Sequence, residues 1–275
     1  MKKELFIRKA SGDEEPFSEE KLRHSLERAG ILDSVADNVI AHISREAKEG
    51  MRSSDIHRHV INLLKHETGG LAARYNLKRA IMDLGPTGHP FEKFIGEVLE
   101  SQGYAVETNV IVQGKCVTHE IDVAASKERR RIMVECKFHN QPGTKSDVKV
   151  ALYIRARFED VASRFDEAWL VTNTKLTSDA IRFSNCSGMK AIGWNYPHEG
   201  SLQHLIEAFG LHPITSLVTL THEEKRRLVE RGITLVRQLK EDETITAAIG
   251  MSESRAARMK EEARELLSDA REVHF

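Results

Sequence analysis

The spacing of apolar positions changes character twice along the chain, and each change marks a segment. Leu5-Phe6-Ile7 is short enough for one strand, and a polar loop with Gly12 and Pro16 follows it. Ser18 then stands as an N-cap before Leu22, Leu26 and Ala29, an amphipathic run that Gly30 ends. Val35, Val39, Ile40 and Ile43 predict a second helix. Ser53 or Ser54 caps a third carrying Ile56, Val60, Ile61 and Leu64, and a fourth spans 71–84. Residues 1–87 therefore read as a small helical bundle with a β-hairpin at its front. Gly85-Pro86-Thr87-Gly88-His89-Pro90 breaks the pattern. Beyond it, Phe91, Phe94, Ile95, Val98 and Leu99 mark a helix stopped by Gly103. Strand-like runs follow at 104–112, 117–124 and 132–138, then a helix over 147–164, a strand at 168–172, a helix at 178–184, a strand at 189–194 and a helix at 202–209. That order predicts an α/β layer over 88–212, with a mixed sheet between helices. After Leu211-His212-Pro213, residues 213–275 read as all helical, with Gly232 and Gly250 between short stretches.

Composition narrows the functional classes. Among 275 residues, 41 basic side chains face 42 acidic ones, so wholesale electrostatic attraction to nucleic acid is excluded and any such contact must be local. No apolar run approaches the roughly 18 residues of a membrane span, and Met1 to Ala10 has no apolar core of a secretory signal. Cys116, Cys136 and Cys186 form no CxxC pair, which argues against a structural zinc site and a disulfide scaffold. A cytoplasmic location without membrane attachment is the expectation.

The chemistry concentrates at Asp122 and Glu135-Cys136-Lys137. Alternation along 131–138 puts Glu135 and Lys137 on one strand face and Ile132, Val134, Cys136 and Phe138 on the other. By the same rule Val117, Ile121 and Val123 share a face, with Glu120 and Asp122 opposite. If the two strands pair through the charged loop 126–130, two carboxylates and one ammonium converge. Such a trio suits phosphodiester hydrolysis: two carboxylates hold Mg²⁺ or Mn²⁺, and the lysine stands beside an attacking water and the charge developing on phosphorus. A solvated Glu-Lys pair beside a charged loop is the plain alternative. His57, His59 and His119 lack partners at metal-ligand spacing and read as structural or surface residues.

On these residues the middle segment resembles the PD-(D/E)xK nuclease superfamily, most closely its Mrr-like restriction endonuclease branch. Phe91-Glu92 and Gly103-Tyr104 look like the opening helix and first strand, His119-Glu120-Ile121-Asp122 like the metal-binding strand, and Glu135-Cys136-Lys137 like the ExK signature. Leu170-Val171-Thr172-Asn173 and Ile192-Gly193-Trp194 match later strands. The resemblance implies a restriction-endonuclease-like fold, metal ligation at Asp122, Glu135 and Cys136, catalysis by Asp122, Glu135 and Lys137, and a supporting carboxylate at Glu92. Glu92 borders the apolar stripe of its helix, whereas Glu97 points away. Gln141, just beyond the strand, is a candidate phosphate contact or simply a solvated loop residue.

In the first segment, Lys9-Ala10-Ser11-Gly12, Glu15-Pro16-Phe17-Ser18 and Lys21-Leu22 gather two lysines, an acid and a hydroxyl near a helix start, where phosphate binds readily. The alternative is a solvated hairpin with an ordinary cap. The arrangement resembles an ATP-cone domain across 4–84, including Ala29-Gly30 and Arg74-Tyr75-Asn76-Leu77-Lys78-Arg79. The resemblance implies ATP or dATP as an effector, with Lys9 and Lys21 at phosphates and Glu15 and Ser18 by the nucleoside. Where the family carries Lys-Arg-Asp-Gly this chain has Lys9-Ala10-Ser11-Gly12, which removes a basic contact and an acid. With no Walker A motif, sensing is favoured over energy transduction.

The last segment resembles helix-hairpin-helix domains around Gly232-Ile233 and Gly250-Met251-Ser252, a DNA-binding or dimerisation element. The whole predicts a DNA endonuclease, expected as a homodimer for double-strand cutting and engaged in restriction of foreign or modified DNA. Rival readings are a repair or junction-resolving nuclease and a nucleotide-responsive DNA-binding regulator with an inert nuclease fold. The intact Asp122, Glu135 and Lys137 speak against inertness.

Overall fold

The structure, a computed structural model, describes residues 5–9, 12–141, 143–241, 245 and 249–268. They form two compact units: one holds the described residues up to Ala80 with Ile214–Arg227 and those from Val236 to the end of the last helix, the other Ile81–Pro213 and Leu228–Leu235. The stretch after Pro213 is thus divided between the units.

In the first unit, β1 (Phe6–Arg8) pairs antiparallel with β2 (Glu14–Pro16) and parallel with β3 (Met51–Arg52). The helices are α1 (Glu19–Arg28), α2 (Asp33–Glu46), α3 (Ser53–Glu67), α4 (Gly69–Tyr75) and α5 (Leu77–Met82). Their apolar stripes meet in a core of Leu22, Leu26, Val39, Ile43, Ile56, Val60 and Leu64. Ser18 caps α1 as the sequence predicts, accepting from the Lys21 amide at 3.2 Å, and Gly30 closes the helix with φ of 70°. Two expectations change. Arg52, not a serine side chain, stands at the start of α3, and the single fourth helix is broken at Asn76. Asn76 is buried, gives its amide to the Ser216 carbonyl at 3.4 Å and faces His57 Nε2 at 3.4 Å, a side-chain claim that competes with continuous helix. Ala10 and Ser11 of the hairpin lie outside the described residues.

The helix α12 (Glu253–Ser268) belongs to this unit and lies against α4. A Cβ at Gly70 would meet Glu265 Cβ at 2.7 Å and backbone at 2.9 Å, so the close approach requires glycine there. Glu265 accepts the Gly70 amide at 2.8 Å, and buried Glu262 accepts the amides of Val218 and Thr219 at 2.5 and 2.9 Å. Of the expected hairpin helices, α10 (His222–Glu230) and α11 (Gln238–Glu241) flank Gly232-Ile233 and α12 follows Gly250-Met251-Ser252, while residues 242–244 and 246–248 lie outside the described residues.

The second unit has the predicted mixed sheet. Its strands are β4 (Ala105–Gln113), β5 (Thr118–Lys127), β6 (Arg130–Lys137), β8 (Glu167–Thr172) and β10 (Lys190–Ile192), in the order β10-β8-β6-β5-β4. The first three form an antiparallel meander, and β6, β8 and β10 run parallel. A short parallel pair, β7 (Lys145–Ser146) with β9 (Lys175–Leu176), stands apart. The opening helix α6 (His89–Glu100), with Pro90 in its first turn, packs on β4 and β5; a Cβ at Gly96 would touch Val106 and Thr108. On the other face lie α7 (Val148–Asp160) and α8 (Ser178–Cys186), over Met133, Ala168, Leu170 and Ala191. The helix α9 (Leu202–Ala208) follows β10.

Candidate active site

Strict alternation fails at one residue, and that failure builds the site. Paired positions on β4 and β5 run Thr108↔Val123 and then Val110↔Ile121, skipping Asn109 and Asp122. Asn109 takes a left-handed φ of 55°, a conformation asparagine tolerates. Thr108, the partner of Val123, lies beneath α6, yet Ile121 belongs to the cluster beneath α7. Ile121 and Val123 therefore do not share a face, which corrects the expectation for that strand. On the other side, β5–β6 pairing ends at Val123↔Val134. Asp122 sits where both neighbours let go, and its Oδ2 accepts the Cys136 amide at 2.7 Å in place of a ladder bond.

Opposite Asp122, Glu135 is 7% exposed. Its Oε2 holds Arg157 Nη1 at 2.5 Å, and its Oε1 is buried without a hydrogen-bond partner among the described residues. Burial, then the charge of Asp122, pushes the Glu135 carboxyl up to about 8, against the pull of Arg157. Asp122 is likewise raised, chiefly by burial and in part by Glu92. Glu92, in the first turn of α6, adds a third carboxylate whose field reaches both, and it contacts His89 Nδ1 at 3.0 Å. Glu97 turns elsewhere, accepting the Thr234 hydroxyl at 2.7 Å. Lys137 is exposed, with no ion-pair partner among the described residues. Gln141 is exposed beyond the strand, its carbonyl accepting the Thr144 amide at 3.4 Å. The structure thus brings Glu92, Asp122 and Glu135 together, sets Lys137 two residues beyond on the same strand, and gives Gln141 no contact with them.

A divalent cation fits this donor set. The oxygens are hard and carry surplus negative charge, and one buried oxygen lacks a partner. No three His, Cys, Asp or Glu side chains form a closed cage among the described residues, and an open pair of carboxylates completed by water is the usual Mg²⁺ environment. Cys136 enters only through its main chain, because burial and then Asp122 push its thiol well above the ordinary range and keep it from becoming thiolate.

Sequence reasoning missed Arg157, and of its two readings of His119, structural or surface, the structure shows the structural one. Arg157 Nη2 also donates to the Glu120 carbonyl and Nε to His119 Nδ1 at 3.4 Å, with the Tyr153 ring 5.5 Å away. An arginine can only donate, so His119 Nδ1 accepts and its proton is on Nε2, which meets Asp160 Oδ2 at 2.8 Å. His119 and Asp160 side chains are each 12% exposed, so this histidine is a structural residue and not a surface one. Asp160 also accepts the amides of Cys116 and Val117 at 2.7 and 3.1 Å; His119 first, and then the Val117 amide, hold its carboxyl well below the usual range.

In the first unit, Glu15 Oε2 takes Lys9 Nζ at 2.7 Å and Lys21 Nζ at 2.8 Å, beside the Ser18 cap. The hydrogen bond from Lys21, and then that from Lys9, lowers the Glu15 carboxyl below its ordinary range. All four predicted residues are therefore neighbours.

Comparison with known proteins finds three matching domains along the chain. Residues 5–83 match the ATP cone domain, 85–193 the restriction endonuclease domain Mrr_cat, and 212–267 the AF1548-like C-terminal domain. An uncharacterized protein of Archaeoglobus fulgidus is 38% identical over 181 residues, 65% of this chain and 99% of that protein. The crystal structure of a protein of unknown function, AF1548, is similar at 36% identity with a TM-score of 0.56, covering 66% of this chain and 99% of that one. With its mixed sheet, its carboxylates at the splayed strands and an ATP cone in front, the chain belongs to the Mrr-like restriction endonuclease family as a nuclease with a nucleotide-binding domain.

Proposed function

We propose that the protein is a Mg²⁺-dependent DNA endonuclease acting in restriction of foreign or modified DNA, with ATP or dATP as an effector that is sensed and not consumed. The observation that carries the reading is the buried Oε1 of Glu135 beside Asp122, which has no partner among the described residues. Catalytic roles fall to Asp122, Glu135 and Lys137, with Glu92 in support; Lys9, Glu15, Ser18 and Lys21 serve the nucleotide. Domain roles follow 1–87, 88–212 and 213–275, the last for DNA or subunit contact.

When bound, a divalent ion would acidify a water and neutralise charge on the scissile phosphate. Asp122 and Glu135 would hold it, joined by the Cys136 carbonyl oxygen. Lys137, exposed and extending from the end of β6, would orient the attacking water and stabilise charge on phosphorus. Glu92 would accept hydrogen bonds from waters around the ion, and Gln141 would reach the backbone of the strand being cut. Double-strand cleavage would use two chains.

A cleavage assay with and without Mg²⁺, on methylated and unmethylated duplex, junction and single-stranded DNA, tests the reading. Metal-dependent duplex cutting that disappears in Glu135→Ala is expected. Preference for junctions would favour the repair alternative, and absence of cutting on every substrate would sink the nuclease.

A further inference from the structure

We propose that Arg157 is a positioning residue that occupies the place of a second cation, so that the site takes one divalent ion per chain. The inference rests on the metal-dependent reading above and deepens it.

Sites that use two ions hold them about 3.5–4 Å apart, between shared carboxylate oxygens. Here the two oxygens of Glu135 are already divided in function. Oε2 is taken by the guanidinium at 2.5 Å, and Oε1 is left without a partner among the described residues. A second ion would have to displace Arg157, and Arg157 is held from several directions. Its Nη2 is bound to the Glu120 carbonyl, its Nε to His119, and the Tyr153 ring lies beneath it. His119 is fixed in turn by Asp160, which the amides of Cys116 and Val117 anchor to the turn between β4 and β5. The side chain is 12% exposed, so its orientation is settled before any ligand arrives.

Charge points the same way. The carboxylates of Glu92, Asp122 and Glu135 are balanced by one guanidinium and one divalent ion. The Lys137 ammonium then remains for the single negative charge of the scissile phosphodiester.

Mn²⁺ titration of the full chain by calorimetry, without nucleotide, tests this when only the equivalents abolished by Asp122→Asn are counted. The wild type should bind one, Arg157→Ala two, and Arg157→Lys one with weaker affinity. Cleavage by Arg157→Ala should lose kcat by roughly 10- to 100-fold with KM for DNA unchanged, the scale typical of groups that orient metal ligands. Should Arg157→Ala fail to fold, the wild-type count and Arg157→Lys still decide. Two equivalents in the wild type, or wild-type stoichiometry and rate in Arg157→Ala, would overturn the inference and leave the nuclease reading standing. No Asp122-dependent equivalent together with no DNA cleavage would overturn both.

Discussion

The molecule carries two clusters of acid and base, one around Glu135 and one around Glu15, and their solvation differs. Glu135 is buried among other carboxylates, has one oxygen without a partner among the described residues, and its carboxyl is pushed up to about 8. Glu15 accepts two lysines on one oxygen near the surface, and its carboxyl is lowered by them. The first cluster is short of positive charge and, on the proposed reading, would draw a cation. The second is internally satisfied, so an anionic ligand bound there would have to take Lys9 and Lys21 away from Glu15. One acts by deficit, the other by exchange.

The sharpest break in the comparison is to remove the deficit. Asp122→Ala, Glu135→Ala or Lys137→Ala should lower the cleavage rate by about three orders of magnitude, while Lys9→Ala and Lys21→Ala leave nucleotide-free cutting near wild type. Comparable losses from both groups in single-turnover assays would erase the distinction.

Melting of the metal-free protein against pH is the next test. A carboxyl whose folded value is raised stabilises fully below its ordinary value, so the Glu135 contribution should be lost as pH climbs from the ordinary 4.5 through about 8. Glu135→Gln should flatten that limb. Glu15 has the opposite sign: its contribution is present above the ordinary carboxylate range and lost as pH falls through its lowered value, and Glu15→Gln should flatten only the acid limb. Salt should shrink the effect of the half-buried Glu15, whose lysines are exposed, and spare that of the buried Glu135.

The smallest effect concerns exchange. Lys21→Ala should weaken ATP or dATP binding by about tenfold, whereas Glu15→Gln should change it by at most about fivefold, because freeing Lys9 and Lys21 offsets the loss of the carboxylate beside the nucleoside. Calorimetry on the full chain separates the two; equal weakening by both variants would mean that the freed lysines compensate nothing.

How far this was legible in the sequence depends on which force placed each residue. Period-two alternation identified Glu135 and Lys137, and turn chemistry identified Ser18, Gly30 and Gly103, because local backbone preferences decide those positions. The face of Ile121 was misassigned because the irregularity at Asn109 and Asp122 is settled between strands. Arg157 was missed because a helix far along the chain supplies it. A signal existed: Arg157 falls at helical spacing with Val150, Ile154 and Val161, a charged residue within an apolar stripe. The break at Asn76 had none, since its partners, His57 and Ser216, come from distant parts of the chain.

The glycine contact between α4 and α12 also sets an order of events during synthesis. The Gly70 amide and the Glu265 carboxylate are separated by 195 residues, so at roughly 5–20 residues per second the ribosome needs about 10–40 s to deliver the partner. During that interval α1 to α4 can gather around Leu26 and Leu64, but the Gly70 side of α4 has no helix against it. The N-terminal unit is therefore the first to begin folding and cannot be finished until the last helix has been made, whatever stage the intervening sheet has reached.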